Sequence, residues 1–358
     1  MGFNTLFVIT DANYSVKVIK GGNIMEPQTN VPLTASEMAN LWASYNSNTM
    51  SKCVIRYFLA NNGDADIRPV LDYALSLSTE HIKAVTDIFI KEKFPIPVGF
   101  NENDVNLEAP RLFSDAFYID YLKNMGKVGI TTYGFALSSS ARSDIRSFYQ
   151  ECLTEASQLF QMAVDVALSK GTFVRDPAIS VPQKSEFVTK KTFYGGFFGE
   201  QRPLTSMEIA HIFYNMKTNA TGHTLLLGFS QTASDENVRK HLWKGKDMAI
   251  RHVTLLSGLL TKDDIPTPMS WAEYVTKSTT PPFSDKLMMF HTTLLIAAST
   301  GNYGFGIAAS PRKDVTATYA RLAVEAGDYA KDSSDLMIEK AWLEQPPQAD
   351  DRKALSRI

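Results

Sequence analysis

The sequence predicts an all-α protein built from two four-helix bundles in tandem, and three observations carry that prediction. The first is duplication. Leu33-Thr34-Ala35-Ser36-Glu37-Met38-Ala39 returns as Leu204-Thr205-Ser206-Met207-Glu208-Ile209-Ala210, and His81 with Pro95-Ile96-Pro97 returns as His252 with Pro266-Thr267-Pro268, each 171 residues on. Phe113-Ser114-Asp115, Tyr133-Gly134-Phe135 and Glu155 return 170 residues on as Phe283-Ser284-Asp285, Tyr303-Gly304-Phe305 and Glu325. Self-similarity at one spacing marks a repeated structural unit. The second observation is periodicity: Ile67, Leu71, Ala74, Val85 and Ile88 recur at helical spacing, as do Ile145, Phe148, Cys152, Leu159, Met162 and Val166. Such runs form one inward stripe of an amphipathic helix, not strand alternation. The third is size: 358 residues, 44% hydrophobic and 21% charged, suffice for two hydrophobic cores.

Residues 1–24 stand outside the repeat. Phe3 to Thr10 is apolar but too short to span a membrane, and no small-residue cleavage pattern follows it. Lys20-Gly21-Gly22-Asn23-Ile24 before Met25 is what a translated ribosome-binding site would encode. The expectation is therefore a start at Met25, with 1–24 a non-native or disordered extension. The first bundle is expected over 25–171, with helices at 34–60, 66–93, 115–138 and 141–170 and Gly171 as the stop. A linker follows over 172–203, the second bundle over 204–345, and a loose charged tail over 346–358. In the second bundle Ser284 precedes helix three, and Ser310-Pro311 is expected to open helix four as N-cap and first-turn proline.

Loop lengths select the topology. Helices one and two, and three and four, are joined by a few residues and must be antiparallel neighbours. Residues 94–114 can reach about 65 Å at roughly 3.3 Å per residue, whereas helix two is about 40 Å long at about 1.5 Å per residue. The link can run the length of the bundle, so helices two and three are parallel. That gives the up-down-down-up order with one long crossover found in ferritin-like bundles.

Three strings carry a family likeness: Asn106-Leu107-Glu108-Ala109-Pro110-Arg111-Leu112-Phe113-Ser114-Asp115, Ser140-Ala141-Arg142-Ser143-Asp144 and Pro282-Phe283-Ser284-Asp285-Lys286-Leu287-Met288-Met289-Phe290-His291. From Leu33 to Pro347 the chain resembles a domain-of-unknown-function family of tandem ferritin-like bundles from spore-forming bacilli, distantly similar to F-type spore-coat proteins. The resemblance implies fold and lineage, with spore-coat or other sporulation proteins as expected partners and a spore-associated location; the expectation of a cytoplasmic protein comes from its cysteines. It brings no activity with it.

Composition excludes several classes of function. The 36 basic and 38 acidic residues are interspersed, so nucleic acid is not an expected partner. No run is long and apolar enough for a transmembrane segment. Cys53 and Cys152 sit in apolar helical patterns and read as buried thiols of a reducing compartment. Assembly into a homo-oligomer is compatible with all of this.

A di-iron centre of ferritin type needs a Glu from two helices and a Glu-x-x-His from each of the other two. Here Ser78 precedes His81, Ala249 precedes His252, and helix four offers Glu155-x-x-Gln158 and Glu325-x-x-Asp328. The set is absent, and no catalytic residue is assigned. Polar residues nonetheless fall on the apolar stripes: Asn48, His81 and Glu155 in the first copy, Asn219, His252 and Glu325 in the second. Burying such groups unpaired costs several kcal/mol, so they must find one another, a water or an ion. The leading reading is a core network that fixes helix register.

The alternative is a metal site in the second copy, which holds five of the six histidines. His252 with Glu325, or His223 with His291 and Asp328, would offer donors that iron, manganese or zinc accepts. Lys52 occupies the position of His223 in the first copy and is expected to neutralise Glu155, leaving that copy structural. His211 and His241 are expected at the surface. Gly126, Gly129 and Gly134, with Gly301, Gly304 and Gly306, are expected where helix three meets a close neighbour, with a pocket for an apolar ligand as the alternative. Tyr118, Tyr121, Tyr133, Met288 and Met289 read as core. Phe193-Tyr194-Gly195-Gly196-Phe197-Phe198-Gly199 is expected to pack into the groove between the bundles. The expected function is a non-enzymatic structural or binding protein of sporulation; the alternatives are a metal-binding protein with an oxidoreductase or storage role, and a carrier of an apolar ligand.

Overall fold

The computed structural model describes residues 31–196, 201–267 and 274–356, together with the backbone of residues 6–8, 17–20 and 23–24. Among the described residues, eight long helices form the body: α1 (Ala35–Asn61), α2 (Arg68–Lys91), α3 (Asp115–Ser138), α4 (Ser143–Ser169), α5 (Ser206–Thr232), α6 (Glu236–Thr261), α7 (Asp285–Ala309) and α8 (Lys313–Glu339). The fold class is all-α, in two tandem bundles. The segment expected as an extension contributes three short strands, β1 (Leu6–Val8), β2 (Lys17–Lys20) and β3 (Asn23–Ile24), paired antiparallel with Ile19 opposite both Leu6 and Ile24. The rest of that segment lies outside the described residues.

Each bundle is closed at one end by a buried glutamate that serves two helices. Thr34 and Glu37 form a capping box on α1, with Thr34 N–H donating to Glu37 Oε2 at 2.7 Å. The other oxygen of Glu37 accepts from Ala141 N–H and Arg142 N–H, the orphan donors at the start of α4, at 2.9 and 2.8 Å. Glu208 repeats this with Thr205 N–H at 2.8 Å and Arg312 N–H at 3.0 Å. The expected cap at Ser310-Pro311 is thereby corrected: α8 starts at Lys313 with Arg312 as N-cap, because the carboxylate of Glu208 does the capping across the bundle.

Contacts at the helix ends establish the topology. Phe58, near the end of α1, stacks on Tyr118 at the start of α3 with ring centroids 4.3 Å apart, while Asn40 at the start of α1 reaches Ser139 past the end of α3 at 3.0 Å. Helices α1 and α3 are therefore antiparallel. Lys170, ending α4, pairs with Asp64 and Asp66 ahead of α2, and Arg142, starting α4, pairs with Glu92 at the end of α2. The order is up-down-down-up, with α2 and α3 parallel.

The two crossovers meet and join the bundles into one body. Val105 bridges Phe283, and Phe113 bridges Val275. Since Val275 and Phe283 are the second-copy counterparts of Val105 and Phe113, the bridges exchange under a pseudo-twofold relation. Asn106 N–H donates to Pro282 O at 2.8 Å and Thr276 N–H to Leu112 O at 2.8 Å, which satisfies backbone that would otherwise be buried unpaired. A continuous core runs through Phe58, Phe113, Phe117, Phe229, Phe283 and Met288. The symmetry breaks where Phe113 lies over Gly228, whose absent Cβ would sit 2.5 Å from its ring, whereas Phe283 packs edge-on against Tyr57.

The close approach expected along helix three occurs at Gly126, Gly129 and Gly306 and not at Gly134, Gly301 or Gly304. A Cβ on Gly126 would lie 2.8 Å from Phe160 N, one on Gly129 2.9 Å from Ala156 Cβ, and one on Gly306 2.6 Å from the Tyr319 ring. Gly134, Gly301 and Gly304 face open space. In the linker, Phe173 and Val174 are the residues that seat against the two cores. Phe193 instead lies against the Arg202 guanidinium at 4.1 Å, and Phe197 to Gly199 of the expected aromatic seat lie outside the described residues. In the tail Asp351 caps one exposed turn, Arg352–Leu355.

Candidate functional site

In the middle of each bundle the structure assembles a polar chain that crosses all four helices. In the second bundle Asn219 Nδ2 donates to Asn215 O at 2.8 Å, leaving Asn219 Oδ1 to accept from the Tyr303 hydroxyl at 3.0 Å. Tyr303 OH lies 2.8 Å from His252 Nδ1, and His252 Nε2 lies 3.2 Å from Glu325 Oε2. Glu325 also accepts from Arg321 at 2.9 Å and Arg251 at 3.3 Å. Burial pushes the His252 imidazolium down and Glu325 only partly restores it. Burial pushes the Glu325 carboxyl up, but hydrogen bonds from Arg321, His252 and Arg251 outweigh that and keep it below its ordinary range. A cavity of about 20 Å³ lies beside His252, Tyr303 and Asn219, room for about one water molecule.

The first bundle builds the same chain with longer bonds at its tyrosine and a shorter one between histidine and glutamate. Asn48 Nδ2 donates to Ser44 O at 2.8 Å and to Tyr133 OH at 3.4 Å; Tyr133 OH lies 3.4 Å from His81 Nδ1, and His81 Nε2 lies 2.7 Å from Glu155 Oε2. Cys152, one helical turn before Glu155, adds a third donor. One ligand atom each from His81, Cys152 and Glu155 lie within 4.8 Å of one another. His81 and Cys152 are buried and Glu155 is partly exposed. Burial pushes the Cys152 thiol far up, with Glu155 and Glu151 adding to the effect.

The sequence-predicted residues divide accordingly. Asn48, His81 and Glu155 come together, as do Asn219, His252 and Glu325. His223, His291 and Asp328 do not join one another or His252. His223 bonds from Nδ1 to Lys246 O at 3.2 Å, and Asp328 is exposed. His291 turns away from its own bundle's centre to the pseudo-twofold contact, where its Nε2 lies 3.3 Å from the hydroxyl of Tyr121, its first-copy counterpart. Burial there lowers its proton affinity to a pKa of about 3.

One further expectation is corrected. His241 is buried rather than at the surface, stacked on Tyr329 at 4.3 Å and bonded to Ser333 Oγ at 2.8 Å, and burial takes it to about 4. His211 is half-buried. Lys52 lies toward the crossover, where its charge acts on Glu102 and Cys53. The residues missed by sequence reasoning are Tyr133 and Tyr303, which link Asn to His, and Cys152. The repeated Tyr-Gly-Phe string and the i, i+3 spacing of Cys152 and Glu155 were the available signals.

No helix among the described residues is long and apolar enough to cross a membrane. No curated protein matches the chain. A solved protein from Bacillus halodurans C-125, a candidate spore coat protein, is similar at 17% identity with a TM-score of 0.40, over 44% of this chain and 100% of that one. Residues 23–184 and 192–355 each match the DUF3231 family, described as a protein of unknown function, so the repeat found in the sequence is two copies of that domain. With both copies matched across most of its length, the chain belongs to the DUF3231 family.

Proposed function

We propose that this protein is a non-enzymatic structural or binding protein linked to sporulation, in which two ferritin-like bundles act as one rigid body. The observation that carries the non-enzymatic part is the closure of the second bundle's centre. Asn219, Tyr303, His252 and Glu325 are bonded to one another, two arginines occupy the carboxylate, and the adjoining space takes about one water rather than a substrate. A network held this way fixes the register of four helices. The link to sporulation is supported by the family strings of the crossover and of the third and fourth helices. Quantitative mass spectrometry of purified spores against vegetative cells tests it: enrichment in the spore is expected, and equal abundance in both would remove the sporulation part of the reading. His252→Ala should lower stability without changing metal content; loss of a bound metal from that variant would instead favour an iron, manganese or zinc site on His252 and Glu325.

A further inference from the structure

We propose that His81, Cys152 and Glu155 of the first bundle form a site for one thiophilic divalent cation, zinc by the chemistry of its donors, and that the second bundle is built without it. The donors come from the middles of two facing helices. His81 is on α2; Cys152 and Glu155 are three residues apart on one face of α4, so both point at α2. Their ligand atoms lie within 4.8 Å of one another, a nitrogen, a sulfur and an oxygen that zinc accepts with a fourth position left for water. A thiolate in the set disfavours magnesium, calcium and manganese.

The second bundle supplies the control. Cys152 corresponds to Leu322, which removes the sulfur. The residues preceding the donors invert in charge: Glu80 and Glu151 correspond to Arg251 and Arg321. Glu325 is held by those arginines at 3.3 and 2.9 Å. Around the first centre Glu80, Glu151 and Glu155 contribute three negative charges; around the second, two arginines and Glu325 leave one positive charge, which repels a cation. Glu155, with 20% of its side chain exposed, gives the ion a way in from solvent.

Binding involves no change of oxidation state. Cys152 gives its thiol proton to solvent as sulfur bonds the metal. His81 binds through Nε2 and carries its proton on Nδ1, where the Tyr133 hydroxyl at 3.4 Å can accept it and orient the ring.

The test uses the full chain, untagged and purified without chelators, with metal content measured by plasma mass spectrometry and with Zn²⁺ or Co²⁺ added alone. One zinc per chain is expected, together with a thiolate-to-metal absorption band in the cobalt form. Cys152→Leu places the second copy's residue in the first and should abolish the band and weaken zinc binding by more than about tenfold; Cys152→Ala, checked for helix content, serves if the leucine variant does not fold. Glu155→Gln should weaken binding, and Glu325→Gln should leave it unchanged. Leu322→Cys combined with Arg251→Glu and Arg321→Glu should add a second ion. Zinc retained by a folded Cys152 variant, a cobalt form without the thiolate band, or a wild type that takes up no zinc would each overturn the proposal.

Discussion

The two polar centres share a skeleton and differ in how many protons they need. In the second bundle Asn219 turns its carbonyl to Tyr303, so the single hydroxyl proton faces two acceptors, Asn219 Oδ1 and a neutral His252 Nδ1. That chain is complete only when His252 carries a second proton. In the first bundle Asn48 turns its amide N–H to Tyr133, which frees the hydroxyl proton for His81 Nδ1, and His81 Nε2–H then meets Glu155. That chain is complete with a neutral imidazole; when Nε2 takes a metal in place of its proton, the ring proton moves to Nδ1 and the Tyr133 hydroxyl accepts it. Duplicating a domain thus preserved the scaffold of the centre while one amide orientation, one sulfur and two charge positions changed its chemistry.

The largest expected difference lies at the bundle ends. Arg312 is fully buried, pairing with Asp263 at 3.0 Å and Asp314 at 2.9 Å, whereas its counterpart Arg142 keeps 10% of its side chain exposed beside Glu92 and Asp144. Arg312→Ala leaves the partly exposed carboxylates of Asp263 and Asp314 without their cation and should cost up to about 3 kcal/mol. Arg142→Ala should cost less, as chemical denaturation would read; equal costs would show that the two ends are not energetically distinct. Acid sharpens the same contrast. Burial pushes the Glu208 carboxyl up, but Arg202 and the backbone donors of Thr205 and Arg312 outweigh it and bring it down to about 2. A depressed carboxyl stabilises the fold above its unfolded pKa, about 4.3, and that stability is lost as pH falls toward 2.

Next are the tyrosines. Tyr303→Phe strips a partner from two buried groups bonded at 3.0 and 2.8 Å and should cost about 1–3 kcal/mol. Tyr133→Phe breaks bonds of 3.4 Å and should cost less. A larger loss at Tyr133 would reverse the view that the tyrosine of the second centre is the more tightly bonded of the two. Helix three separates the copies by packing. Gly126→Ala drives a methyl into the backbone of Phe160 and should destabilise by about 1–3 kcal/mol, although Ile296 fills the same position in the second copy. Gly304→Ala, facing open space, should stabilise by up to about 1 kcal/mol.

These contrasts mark the boundary of what the sequence made legible. Duplication, helix limits and topology follow from local signals: apolar spacing, the Thr34 and Glu37 box, and the length of the crossover. The members Asn, His and Glu were visible because polar residues on an apolar stripe stand out. Tyr133, Tyr303 and Cys152 did not, because a tyrosine or cysteine on such a stripe is an ordinary core residue until its partner is known. His291 was misplaced for a related reason. Periodicity gives the face a residue occupies, and α7 has two buried faces, one toward its own bundle and one toward the other copy. The junction between crossovers depends on residues 170 positions apart meeting in space, which no local pattern encodes.

The smallest predicted effect orders the buried histidines of the second bundle. All are depressed by burial, His241 to about 4 against the charge of Asp332 and His291 to about 3, while His252 alone is hydrogen-bonded to an opposing carboxylate, Glu325. On acidification followed by ¹H–¹⁵N NMR of the imidazoles, His252 should protonate first, at Nδ1, then His241, then His291. Each folded-state pKa lies below the unfolded value of about 6.5, so the native state binds fewer protons, and the contribution to stability is full above that value and declines as pH falls. Protonating His252 also supplies the missing hydrogen between Tyr303 and its two acceptors, so Glu325→Gln should move the His252 titration to lower pH while leaving His241 and His291 in place. A His252 that titrates after His241 would mean that burial outweighs the Glu325 pair, and the proton count separating the two centres would then have to be redrawn with Tyr303 donating to His252 and Asn219 left unpaired.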